Sequence, residues 1–179
     1  MEQLNRAKRY LARIERLYKG VFTSNRHDED AYFDDVLSFF IHCYHVRDWT
    51  IHQAGATVGS RAIDSFIDSH EQLRICADLA NGSKHCKLTR ATRSGHQPLI
   101  TDSEMAYSTW FTGNGGGEVL KCSYRIVSGS QTHDVLELAR ECILLWEGFL
   151  DQNPSKTESS DVSSDSQHRQ KSLSPSSPK

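Results

Sequence analysis

Residues 31–53 read AYFDDVLSFFIHCYHVRDWTIHQ, and this stretch decides the fold. Its middle is apolar or aromatic on nearly every side, which is the pattern of a helix surrounded by other helices and not of one lying on a surface. The acidic run Asp28, Glu29, Asp30, Asp34 and Asp35 suits the N-terminus of that helix, and Ala54-Gly55-Ala56 suits its end. Working outward, residues 2–20 place Leu4, Ala7, Leu11, Ile14 and Tyr18 on one helical face, with Gly20 as a stop. Residues 61–69 and 71–84 form a third and a fourth helix, the latter burying Leu73, Cys76, Ala77 and Ala80. The last helix opens on Asp134-x-x-Glu137 and carries Val135, Leu138, Ala139, Cys142, Leu145, Trp146, Phe149 and Leu150 to about residue 152.

Between residues 85 and 133 the period changes from helix to strand, with candidates at 87–92, 107–112 and 119–127. In the third, Leu120, Cys122, Tyr124 and Ile126 alternate with Lys121, Ser123 and Arg125, as in a half-buried strand. Asn114-Gly115-Gly116-Gly117 lacks the strand-to-helix context and the Gly-Lys-Ser/Thr ending of a phosphate loop and reads as a hairpin connection. No cofactor is expected. The predicted fold class is therefore α+β: a bundle of four to five helices with a small three-stranded antiparallel sheet inserted before the last helix.

Residues 1–152 are expected to form one domain and residues 153–179 a disordered tail, since ten of those 27 residues are Ser and three are Pro. The chain of 179 residues carries 21 Lys and Arg against 23 Asp and Glu, which excludes a polybasic whole-chain binder of nucleic acid or membrane. No apolar run nears the ~20 residues of a membrane span, and no signal-peptide core opens the chain, so a cytoplasmic protein without a membrane partner is expected. Five cysteines, at 43, 76, 86, 122 and 142, contain no Cys-x-x-Cys pair and read as buried free thiols.

Three groups of residues have site-like chemistry. Arg6, Arg9, Arg13 and Arg16 share roughly 80° of the first helix, and read as a solvated flank, as partners of the acidic run, or as a phosphate-binding stripe. His42, His45 and His52 share a similar arc of the second helix with Trp49. His52 stands about 10 Å along the axis from His45, too far for one ion, so only His42 and His45 are candidates to share a metal; packed histidines are the expectation, with well below one equivalent of zinc. In LRICADLANGSKH, a helix continuing through His85 would align Arg74, Asp78, Asn81 and His85, with Lys84 beside them, opposite the buried side. Asn81-Gly82 is also a good helix stop, in which case the stripe caps a helix end and Asp78 bonds to the His or Trp of the second helix. Arg90, Arg93 and His96 read as a solvated loop.

The segment Arg47-Asp48-Trp49-Thr50-Ile51-His52 resembles the signature of the HEPN superfamily, which is Arg, four to six residues beginning with a polar one, then His. That family comprises small helical bundles, many of them metal-independent RNases of toxin–antitoxin and phage-defence systems working as dimers. The resemblance implies RNA cleavage or binding, a homodimer and a cognate antitoxin. It implies His52 as the base that deprotonates a ribose 2'-hydroxyl and Arg47 as the stabiliser of phosphoryl charge. Asp48 would orient either of them, while Lys84 and the first-helix arginines track the backbone. The Asp78–His85 string, with Asp48-Trp49 on an earlier helix, also resembles a segment of small uncharacterised bacterial proteins, and this brings no activity with it. The competing expectation is a non-catalytic protein-interaction module whose polar stripes are structural; convergence of Arg47, His52 and Asp78 on one open cleft separates the two.

Overall fold

A computed structural model describes residues 1–22, 29–53, 56–84, 91–112 and 115–154. The elements are α1 (Glu2–Lys19), β1 (Val21–Phe22), α2 (Glu29–His52), α3 (Ser60–Asp68), α4 (Glu71–Gly82), β2 (Leu99–Thr112), β3 (Gly115–Ser128), β4 (Gln131–Asp134) and α5 (Val135–Gln152). The class is α+β, with five helices and an antiparallel sheet before the last helix, and the sheet has four strands instead of three.

The second helix lies at the centre as its all-round apolar sequence requires. Val36, Phe39, Phe40, Cys43 and Val46 have no exposed surface, and they meet Ile14 and Leu17 of α1, Leu73 and Cys76 of α4, and Cys142 and Trp146 of α5 in one core. Asp134 caps α5 by accepting from Leu136 N (2.8 Å) and Glu137 N (3.0 Å). Tyr18 ties α1 to the sheet and to this cap: its hydroxyl accepts from Tyr124 N (2.9 Å) and donates to Asp134 Oδ2 (3.2 Å).

Strand β3 is the middle of the sheet. It pairs with β2 along its whole length, from Leu99↔Val127 to Thr112↔Gly115, and on its other side with β1 at Val119–Leu120 and with β4 at Arg125–Ser128. Leu120, Cys122, Tyr124 and Ile126 are buried between exposed Lys121 and Arg125, as their alternation requires. Strand β2 begins eight residues before the expected strand at 107, and the glycines 115–117 lie within β3 and not in the connection. The candidate at 87–92 falls mostly on residues 85–90, outside the described residues; Ala91 and Thr92 are not in a strand. The connection between β3 and β4 requires glycine: Gly129 has φ +62°, and a Cβ there would lie 2.6 Å from the His96 ring.

The tail expected from 153 onward lies outside the described residues beyond Pro154, while Asn153 closes α5 by donating from Nδ2 to Phe149 O (2.8 Å). Among the described residues no helix is long and apolar enough to cross a membrane.

Candidate functional site

The residues singled out in sequence fall into two separate places. On one face, Arg47 of α2 reaches α3: Nε donates to Asp64 Oδ1 (2.8 Å) and Nη2 to Asp64 Oδ2 (2.7 Å), a side-on bidentate pair, and Nη1 donates to Asp48 Oδ1 (2.7 Å). Arg93, from the segment before β2, donates to the same Asp64 (2.8 Å) and to Asp68 (2.6 Å). Two guanidiniums and three carboxylates thus alternate in one chain, half-buried at Arg47, Asp64 and Arg93 and exposed at its Asp48 and Asp68 ends. The Arg47 fork holds the Asp64 carboxyl below its usual range against the opposing effect of burial, with Arg93 adding to the shift.

The backbone of Arg93 continues this chain to Asp78. Asp78, 3% exposed, accepts from Arg93 N (2.9 Å), Ser94 N (2.7 Å) and Ser94 Oγ (2.7 Å). The expected bond from Asp78 to a His or Trp of the second helix is replaced by these three, because residues 91–95 cover the side of α4 that the sequence pattern leaves polar. That helix is closed at Gly82, with Ser83 N bonded to Leu79 O, and His85 lies outside the described residues. Arg74 turns to Asp68 O (3.1 Å), Asn81 is half-buried, and Lys84 donates to His45 Nε2 (3.1 Å).

His52 stands elsewhere. Helix α2 runs unbroken through it, so five positions turn it about 140° from Arg47. It lines a cleft of about 450 Å³ with Asp48, Trp49, Met1, Glu2 and Gln53; an adjoining cleft of about 520 Å³ shares Met1 and Gln53 and is closed by Lys8, Thr57 and the end of α5. Arg6 lies over the half-exposed Trp49 ring, 5.6 Å from its centroid. The structure therefore joins Asp48, Trp49 and His52 in one cleft, and Arg47 with Asp78 through Arg93 on another face. Asp48 is the one predicted residue that touches both.

Three of the four first-helix arginines face carboxylates. Arg6 and Arg9 share Glu2, and Arg13 pairs with Asp35 of the acidic run at 2.8 Å. His42 and His45 diverge: His42 stacks on Tyr10 and its Nδ1 accepts from Gln3 (3.0 Å), whereas His45 faces Lys84. Among the described residues, no group of metal-ligating side chains includes a histidine.

Burial, followed by the charges of His45, Arg6 and Arg9, lowers the His42 pKa. A histidine depressed in the folded state takes its proton first in the unfolded chain. Stability is then complete above the unfolded value near 6.5 and falls as pH drops below it toward the folded pKa. His42→Asn is expected to flatten the urea midpoint between pH 7 and 5, and an unchanged slope would contradict this assignment.

The residues that sequence reading missed are Asp64 and Asp68; Arg93, expected in a solvated loop, instead pairs with both, because its backbone is held on Asp78. Asp64 and Asp68 are four apart on one helix and so share a face, a local sign of a cation-facing pair. Arg93 has no such sign. A scan against protein-family models, a search of curated proteins and a search of solved structures each return no match to this chain.

Proposed function

We propose that the protein is a non-catalytic protein-interaction module whose β2 edge pairs with a second copy of the chain. The observation that carries this reading is the arm formed by β2 and β3. Among the described residues β2 has β3 as its one neighbour, so a strand of 14 residues, about 45 Å long, presents an open edge. Among the described residues, beyond the pairing with β1, Thr109–Thr112 and Gly115–Glu118 form a two-stranded ribbon with exposed side chains at Thr109 and Phe111, the latter 84% exposed. Isolated ribbons of this kind are marginal in water. The stretch MAYSTWFT, residues 105–112, carries no charge and no proline, the usual protections of a free edge. Two copies paired antiparallel about Ser108 and Thr109 oppose Ala106 to Phe111 and bring no like charges face to face.

The ribonuclease reading draws less support from this geometry, because it requires Arg47 and His52 to act on one phosphate. The Arg47 fork is occupied by Asp64 and Asp48, and His52 lines a cleft that Arg47 does not.

Light scattering coupled to size exclusion is expected to give a dimer for the full chain at tens of micromolar. Replacing residues 109–118 by Asn-Gly, which joins Ser108 to Val119 through a two-residue turn, is expected to give a monomer whose thermal midpoint stays within about 2 °C of the original, after extrapolation to the monomer. A full chain that stays monomeric at 100 micromolar or so would overturn the reading. Cleavage of single-stranded RNA in EDTA that is lost in folded Arg47→Ala and His52→Ala would restore the ribonuclease.

A further inference from the structure

Three helices each place one cysteine at the same point of the core. Cys43 of α2, Cys76 of α4 and Cys142 of α5 are fully buried or within 1% of it, and their three sulfurs lie within 4.8 Å of one another. All three are free thiols. In the same core Trp146, itself 1% exposed, has an indole N–H with no partner in hydrogen-bond geometry. Buried donors are seldom left without a partner.

We propose that Cys43, Cys76 and Cys142 form a three-sulfur site for a soft trivalent ion of the arsenic(III) or antimony(III) class. A trivalent ion of this class keeps a lone pair and holds three sulfurs as a pyramid; with bonds of about 2.3 Å, the length found for zinc, and angles near about 100°, the sulfurs stand about 3.5 Å apart. The three sulfurs, within 4.8 Å of one another, need to close by up to about 1.3 Å to reach that spacing. The argument for charge three is electrostatic. The buried polar residues among those described are Gln3, Thr50, Asp78 and Ser128, none of them cationic, so nothing in the core offsets a net negative site. Three thiolates around a monovalent or divalent ion leave two charges or one buried, whereas around a trivalent ion they leave none. Zinc also requires a fourth ligand, and no described His, Cys, Asp or Glu completes the set.

Before entry the Cys76 thiol donates to Phe40 O (3.6 Å) and the Cys142 thiol to Gln72 O (3.4 Å). Arsenous acid exchanges its three hydroxyls for three sulfurs: each As–O bond breaks as an As–S bond forms, and each hydroxide leaves with a thiol proton as water. Nothing is oxidised or reduced.

The reduced full chain is incubated, and in parallel refolded from urea, with a small excess of arsenite. Native mass spectrometry is expected to show one arsenic per chain with three protons lost, and two of the five thiols are expected to react with a thiol reagent after denaturation without reductant. Tryptophan emission should change through Trp146, and the thermal midpoint should rise by about 5 °C or more. Cys43→Ala and Cys142→Ala should each abolish the three-proton adduct, and Cys122→Ala, in the sheet, should retain it. Should a core variant fail to fold, the adduct mass and thiol count of the unsubstituted chain decide alone. The proposal is overturned if that chain forms no three-sulfur adduct by either route, if the adduct survives loss of Cys43, or if zinc binds at one equivalent and excludes arsenite.

Discussion

Asp78→Ala is expected to lower the free energy of unfolding by about 3 kcal/mol, which for a domain of this size moves the thermal midpoint by roughly 6 to 12 °C. The carboxylate is buried and accepts three hydrogen bonds at 2.7–2.9 Å, two of them from consecutive backbone N–H groups. Bonds to a charged acceptor contribute more than neutral ones, and removing the acceptor leaves the donors of Arg93 and Ser94 to find water in a half-buried place. The loss reaches further, because the same backbone carries the Arg93 side chain to Asp64 and Asp68. Asp78→Asn keeps one acceptor oxygen and should cost about 1 kcal/mol. Urea titrations check this through a shift in midpoint at constant slope. An alanine variant within about 1 kcal/mol of the parent would mean that residues 91–95 are held by something else.

Arg47→Ala is expected to cost about 2 kcal/mol in stability. Its fork is the largest influence lowering the Asp64 pKa, and Asp64 keeps only Arg93 when the fork is gone. A carboxyl depressed in the folded state contributes stability that is complete above its unfolded value near 4 and is lost as pH falls through the lower folded value. The cost of Arg47→Ala should therefore be full at pH 7 and shrink below about pH 4, where the parent chain protonates Asp64 as well. The pair is about one-quarter exposed on either side, so added salt should also reduce the difference between parent and variant. A variant as stable as the parent at pH 7 would mean that the Arg47 fork does not hold α2 to α3. RNA cleavage lost with the fold intact would assign Arg47 to catalysis.

The five helices and the α+β class were legible in the chain, since helix periodicity is local: the apolar positions of 2–20, 31–53, 61–69, 71–84 and 135–152 recur every three or four residues whatever they pack against. Alternation marked β3 for the same reason. The outer part of β2 was not legible. Leu99–Ala106 contains Asp102, Glu104 and Ala106, poor strand formers, and it is held extended by its register with β3. Strand β4, QTHD, has no apolar alternation at all and exists because Gly129 turns it back onto β3. The site residues divide along the same line. The types at 47, 48, 52 and 78 announced polar chemistry, but their partners lie 15 to 17 residues away or on another helix, and whether a charged side chain meets a substrate or a carboxylate depends on what packs against it. Arg93 and the three cysteines show this most plainly. Each is an ordinary residue in its own segment, and only the packing of α2, α4 and α5 brings three sulfurs to one point, because convergence across 99 residues of chain is a property of the packed core and leaves no period in the sequence.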